Sequence, residues 1–229
     1  GNIDVKEDNI TVKGNVNGNL YIEGNNDIVS NITVSGTVYV NPGEKGICNL
    51  DSIKADKIVI LSGDNVKLTN ISTKSLSIQS RNKTKVDFKN CTNIENTDVL
   101  SSAILDANLG SFGAVKVADV ICNDDPVEFR GLFNKTVTVC GDAKLNIASG
   151  ATVYNIIVPS NVSGKNVQVI GSGKIGNVYD INKDTSLNID KDISILGTVE
   201  AVAKDKVKSD NDSTAKKINE KNQEWQPQF

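Results

Sequence analysis

Any chemistry in this chain has to come from carboxylates, amides, lysines and a few aromatic rings. One cluster gathers hard oxygen donors beside an arginine: Asn123, Asp124 and Asp125, with Arg130 just beyond. Hard oxygens at a turn can hold Ca²⁺ weakly, although consecutive residues alternate in direction and rarely converge on one ion. Asn-Asp-Asp-Pro at 123–126 is equally the composition of a tight turn ahead of Val127. Tyr21 and Tyr39 are the second candidates. Each is the middle residue of an apolar–x–apolar triplet, so both point outward and can offer ring surface to a sugar. Tyr154 and Tyr179 are not in equivalent positions and do not extend that pair. Beyond a weak Ca²⁺ site, no cofactor is expected.

The absences are as informative. The 229 residues include no histidine, which excludes imidazole acid–base catalysis, Ser-His and Cys-His nucleophiles and histidine metal ligation. Arginine occurs only at Arg81 and Arg130, and the net charge is -3, so a nucleic-acid partner is not expected. No stretch approaches the ~18–20 apolar residues of a membrane span. The cysteines, Cys48, Cys91, Cys122 and Cys140, include no CxxC pair. Two disulfides and buried free thiols both remain open. With no methionine in the chain, Gly1-Asn2 reads as either a processed or a trimmed start, which is compatible with removal of a signal segment.

The elements that would position these residues are short alternating strands. Leu20-Tyr-Ile22, Val38-Tyr-Val40, Ile58-Val-Ile60 and Leu76-Ser-Ile78 begin 18, 20 and 18 residues apart. A second series runs through Val66-Lys-Leu68, Val86-Asp-Phe88, Val127-Glu-Phe129, Leu145-Asn-Ile147, Val167-Gln-Val169 and Leu187-Asn-Ile189. Residues 145–155 align without gaps on 167–177, placing Asn155 on Asn177. A period near 20 with two or three short strands in each repeat is a solenoid signal. Val and Ile dominate, while Asn and Gly accept left-handed turns, so the solenoid is built of strands.

The expected fold is all-β: a single-stranded right-handed parallel β-helix (β-solenoid) of about nine or ten coils over residues 1–200. A polar C-terminal tail or capping segment, with a short helix through 215–218, follows at 201–229. Ladders of like residues should stack at the bends. Aligning Leu68-Thr-Asn-Ile71 on Phe88-Lys-Asn-Cys91 stacks inward-facing Asn70 on Asn90 and turns Cys91 into the core. Asn49 would extend that column, and Asn155 and Asn177 form a second one. Cys122 and Cys140, 18 apart, are candidate neighbours in a stack.

The phrases Val16-Asn-Gly-Asn-Leu-Tyr-Ile22 and Val34-Ser-Gly-Thr-Val-Tyr-Val40 are similar to the coils of right-handed β-helix (pectate-lyase-like) segments in Gram-positive, S-layer-homology-associated surface proteins. The likeness covers roughly residues 8–200 at the level of the repeat. It implies a secreted or cell-surface location in the envelope and a structural or adhesive role. The implied partners are cell-wall or host polysaccharide, or neighbouring surface-protein subunits. A polysaccharide lyase or glycoside hydrolase of the pectate-lyase-like class is the alternative, with Asn96-Thr97-Asp98 and Asp124-Asp125 resembling polygalacturonase carboxylate sites. The Gly-His-Gly and Arg-Ile-Lys motifs of those enzymes have no counterpart. A self-polymerising solenoid scaffold is the third reading.

Overall fold

The computed structural model describes residues 1–90, 93–118, 125–162 and 166–228. Every described strand pairs in parallel, and the 21 strands form one continuous ladder. The chain is a right-handed-type parallel β-solenoid of about ten turns, with almost no helix. Long strands such as Asp27–Val40, Ile47–Ile60 and Val127–Val139 bend round corners, so a single turn has three short sides. Side I carries residues such as 48–51, Asn65–Thr69 and Thr84–Phe88. Side II is the shortest, with 32–34, 53–55 and 72–73 in register. Side III carries Ile3–Val5, Leu20–Ile22 and the ends of the long strands.

Alternation explains why these residues make strands. On side III the inward column reads Val5, Ile22, Val40, Ile60, Ile78 and Val99, each in register with the next. All of these are buried. Each buried aliphatic side chain contributes roughly 1.5–3 kcal/mol relative to exposure, repeated turn after turn. Midway along the rod the interior is aromatic: Phe88 and Phe129 pack against Phe112 and Phe133, with ring centroids 4.6–5.9 Å apart.

Corners take the residues that tolerate left-handed backbone. Asn31, Ser52 and Asn70 have φ of 54°, 56° and 50° and follow one another at the bend between sides I and II. Asn70 is thus a corner residue, but its side chain is exposed, as is that of Asn90. The inward Asn70–Asn90 ladder expected from the sequence is corrected: both side chains face out, and what Asn70 supplies at this corner is left-handed backbone rather than a buried amide. Asn49 lies elsewhere again, mid-strand on side I between Ile28 and Lys67. Cys91 and Cys122 fall outside the described residues. Cys140 follows Val139, which pairs with Val117, and its amide donates to Val117 O at 2.7 Å.

Parallel pairing runs on past residue 200. Val207–Ser209 lies on 187–189, and Ile218–Glu220 lies on Val199–Ala201. In the expected tail, 201–220 is therefore one more turn of the stack. Its short helix is Asp212–Ala215, and Asn211 Oδ1 caps it by accepting from the Ser213 and Thr214 amides at 2.9 and 3.2 Å. No helix among the described residues is long and apolar enough to cross a membrane.

Candidate functional site

The corner between sides II and III has a recurrent construction that also orients the outward residues beyond it. Asn19 Oδ1 accepts the Thr37 amide of the next turn at 2.9 Å, and Asn177 Oδ1 accepts the Thr198 amide at 3.1 Å. The residue before each capped amide is glycine, Gly36 or Gly197, because a Cβ there would run into that asparagine oxygen. Asn155 and Asn177 are in register, and Asn177 Nδ2 donates to Asn155 Oδ1 at 3.1 Å. The phrase apolar–x–Gly–(Asn/Thr)–apolar–x–apolar thus has a physical cause. It recurs at Ile195-Leu-Gly-Thr-Val-Glu-Ala201, a copy that the sequence reading missed.

Two residues past each cap, the side chain points out of side III. Tyr21 and Tyr39 occupy this position on successive turns, with ring centroids 4.9 Å apart and planes 4° from parallel. That distance is the spacing of paired strands. The flat faces are therefore turned toward one another along the axis, and ring edges face solvent. A sugar could stack only on the outer faces of the pair, toward Asp4 or Val59. The column continues through Val59, Ser77, Asp98, Lys116, Thr138 and Ile157 and then reaches Tyr179. Tyr179 is thus equivalent to Tyr21 and Tyr39, a correction to the sequence alignment, although six intervening turns separate it from Tyr39. Trp225 packs on it at 5.8 Å between centroids. Lys221 Nζ lies 5.5 Å from the Trp225 ring and 3.5 Å from Glu200 Oε1.

The same corner opens into a shallow groove of about 550 Å³ across four consecutive turns. Its floor is Val34, Ala55 and Thr73, in register and buried. Along one wall stand Thr33, Lys54 and Ser72, which pair turn on turn. Along the other stand Ser35, Asp56, Lys74 and Glu95, with Lys74 Nζ 3.3 Å from Asp56 Oδ1. A register shift between Val34 and Thr37 bends the chain away here. Thr73 Oγ1 donates to Asp56 O at 3.0 Å, satisfying the one floor hydroxyl from within.

Side I presents charge instead. Lys67 and Asp87 are in register 4.0 Å apart, and Lys85 reaches Asp87 and Asp106 at 3.7 and 3.8 Å. Arg130 Nε donates to Glu128 Oε1 at 2.6 Å, so the guanidinium beside the expected Ca²⁺ cluster is held by a carboxylate on its own strand. Of that cluster, Asn123 and Asp124 lie outside the described residues. Asp125 is exposed, and its carbonyl accepts from Ser102 Oγ at 2.8 Å. Among the described residues, no group of three or more His, Cys, Asp or Glu side chains could hold a metal ion. Thr97 Oγ1 donates inward to Phe112 O at 2.7 Å, while Asp98 faces out between Ser77 and Lys116.

Two carboxyl groups are buried within the stack. Asp27 Oδ1 accepts the Ile10 amide at 2.8 Å, and Oδ2 has no hydrogen-bond partner. Its pKa is raised by burial and, to a lesser degree, by nearby Asp8. Asp27 is in register with buried Cys48, whose thiol is pushed up to about 12 by burial and by Asp27. A thiol so placed is not a nucleophile. Asp180 stands in the inward column of side III between Val158 and Ala201, with Oδ2 again unpartnered. Burial raises it to about 7, against the opposing effects of the Asn182 amide and Lys206.

Fold and surface together define a parallel β-solenoid with ordered outward ladders. Comparison with protein-family models, curated proteins and solved structures finds no match.

Proposed function

We propose that this protein is a non-enzymatic structural and adhesive module of the cell envelope, exported to the surface, whose side faces engage polysaccharide. One observation supports this reading above others: parallel pairing is carried from Ile3 to Glu220 over a largely aliphatic interior. A stack of this kind behaves as a stiff rod in which each repeat contacts its neighbours. Its function lies in what it displays at fixed intervals along its length. The hydroxyl, amide and tyrosine ladders of sides II and III suit a repeating, hydroxyl-rich polymer.

The test is a glycan array probed with the intact protein, followed by a reducing-end and unsaturated-product assay on every glycan retained. Retention without turnover is the expected outcome. Retention with turnover would replace this reading with the polysaccharide-cleaving one, which has one observation in its favour. Asp87 and Asp106 share an outward column on successive turns, a spacing compatible with paired carboxylate chemistry. Both are ion-paired to Lys85, which suits a stabilising ladder.

A further inference from the structure

The turn at 201–220 is thinly anchored. Its buried inward residues are Val207, Thr214 and Ile218, and two inward columns reach polar residues there: Ser209 lies on Ile189 and Glu220 on Ala201. A repeat with so little buried apolar surface opens at lower cost than the stack beneath it. Its attachment begins at Asp180. Ala201 is in register with Asp180, and the Val202 amide donates to Asp180 O at 3.0 Å. The Lys221 amide then donates to Ala201 O at 2.8 Å, and Lys221 Nζ reaches both Glu200 and the Trp225 ring. Trp225 lies on Tyr179, the residue before Asp180. Backbone, lysine and indole thus form one short strap over the strand that carries Asp180.

The Asp180 carboxyl is poorly placed to hold a charge. It is fully buried between Val158 and Ala201 in its column, and Oδ2 has no hydrogen-bond partner. Its own strand and loop carry Tyr179, Lys183 and Asp184. The strands packed on either side of it carry Tyr154 and Glu200, and the 3₁₀ turn Lys204–Lys206 carries its two lysines and Asp205. Across the interior, Asn166–Gly171 and Ser186–Ile189 carry no ionisable residue. Lys206 favours the ionised carboxylate, yet it also lies 4.0 Å from Asp184 Oδ1. Burial outweighs it and lifts the carboxyl from 3.8 to about 7.

We infer that ionisation of Asp180 opens the turn at 201–220 together with the Trp225 strap, while the turns beneath stay folded. In the opened form the carboxylate is hydrated and Tyr179 is uncovered, and the strand edges at 187–189 and 199–201 are free to pair with another chain. Linkage sets the direction: the closed form binds the proton more tightly, so closure is strongest below about pH 4 and weakens as pH rises to about 7. The device is independent of the polysaccharide reading.

Amide hydrogen exchange of the intact protein at pH 5, 6 and 7 tests it, read as protection factors so that the intrinsic pH dependence of exchange is removed. The Val202 and Lys221 amides should be less protected than those of Leu61 and Leu100, which bond between turns in the middle of the stack. Their protection should fall about tenfold per pH unit. In Asp180→Asn that fall should vanish, and Asp180→Val serves in its place should the amide variant fail to fold. Equal protection at Val202, Lys221 and Leu61 would mean that the turn opens only with the whole rod and would overturn the proposal. So would protection at Val202 that does not change with pH in the parent, or a fall that persists undiminished in the Asp180 variant.

Discussion

Replacing Asp180 with valine should convert a pH-dependent turn into a pH-independent one. Every earlier described member of its column, from Val5 to Val158, is aliphatic. The aspartate side chain is fully buried, with one oxygen bonded to the Asn182 amide at 3.1 Å and the other bonded to nothing. Lys206, on the 3₁₀ turn Lys204–Lys206, acts on it and lies 4.0 Å from Asp184 of the following loop, while Glu200 and Glu220 are on the strands stacked beyond. Burial lifts its pKa from 3.8 in the unfolded chain to about 7 in the fold. The folded state therefore binds the extra proton between these values, and stability must fall as pH rises through that window. At about 1.4 kcal/mol per pH unit over some three units, the loss is roughly 4 kcal/mol, complete above pH 7. Denaturant melts at pH 5, 6, 7 and 8, paired with hydrogen exchange of the amides in 199–209, would read it. The variant should gain on the parent progressively from pH 5 to 7 and hold a constant advantage above. Subtracting the two curves removes the contribution of Asp27, which has the same sign. Parallel curves for parent and Asp180→Val across pH 5–7 would refute the reasoning.

Four further outcomes follow from the corners and columns. Gly197→Ala should cost about 1–3 kcal/mol in chemical denaturation, because the new methyl displaces the Asn177 oxygen and leaves the Thr198 amide unmet. Ala at Gly43, whose Cβ position is open, tests backbone strain alone and should cost less than that clash. Tyr39→Ala should lose about 0.5–1.5 kcal/mol of ring stacking beyond its buried area, measured in the same melts and by the near-ultraviolet circular dichroism of the pair. Cys48 should resist a thiol reagent at pH 8 in the folded protein and react after unfolding; prompt native-state labelling at Cys48, identified by peptide mapping, would contradict its burial.

Much of the architecture was legible in local pattern. Apolar–x–apolar triplets recurring near every twentieth residue can bury one face only by stacking on their own copies, so period and alternation together determine a β-solenoid. The gap-free match of 145–155 to 167–177 gave the correct register only at its far end, where Asn155 meets Asn177; Leu145 pairs with Val169 rather than Val167, because the intervening corner is two residues shorter in the second stretch. Corner lengths vary elsewhere too. Steps between paired strands range from 17 residues, Ile3 to Leu20, to 24, Ala143 to Val167. Asn49 was misplaced for this reason: a step of 21 from Asn49 to Asn70 looks like one turn, yet side I advances by only 18 between Cys48 and Val66.

Residues 207–209 and 218–220 show the other limit. Val-Lys-Ser and Ile-Asn-Glu carry one inward apolar side chain each, too weak a pattern to read locally, and become strands only against the turn already formed beneath them. The outward groove, the equivalence of Tyr179 with Tyr39 and the burial of Asp180 belong to the same class. The chain alone specified which residues alternate and roughly how often they return. Which residues become neighbours depends on the summed lengths of irregular corners, and only the stacked structure decides that.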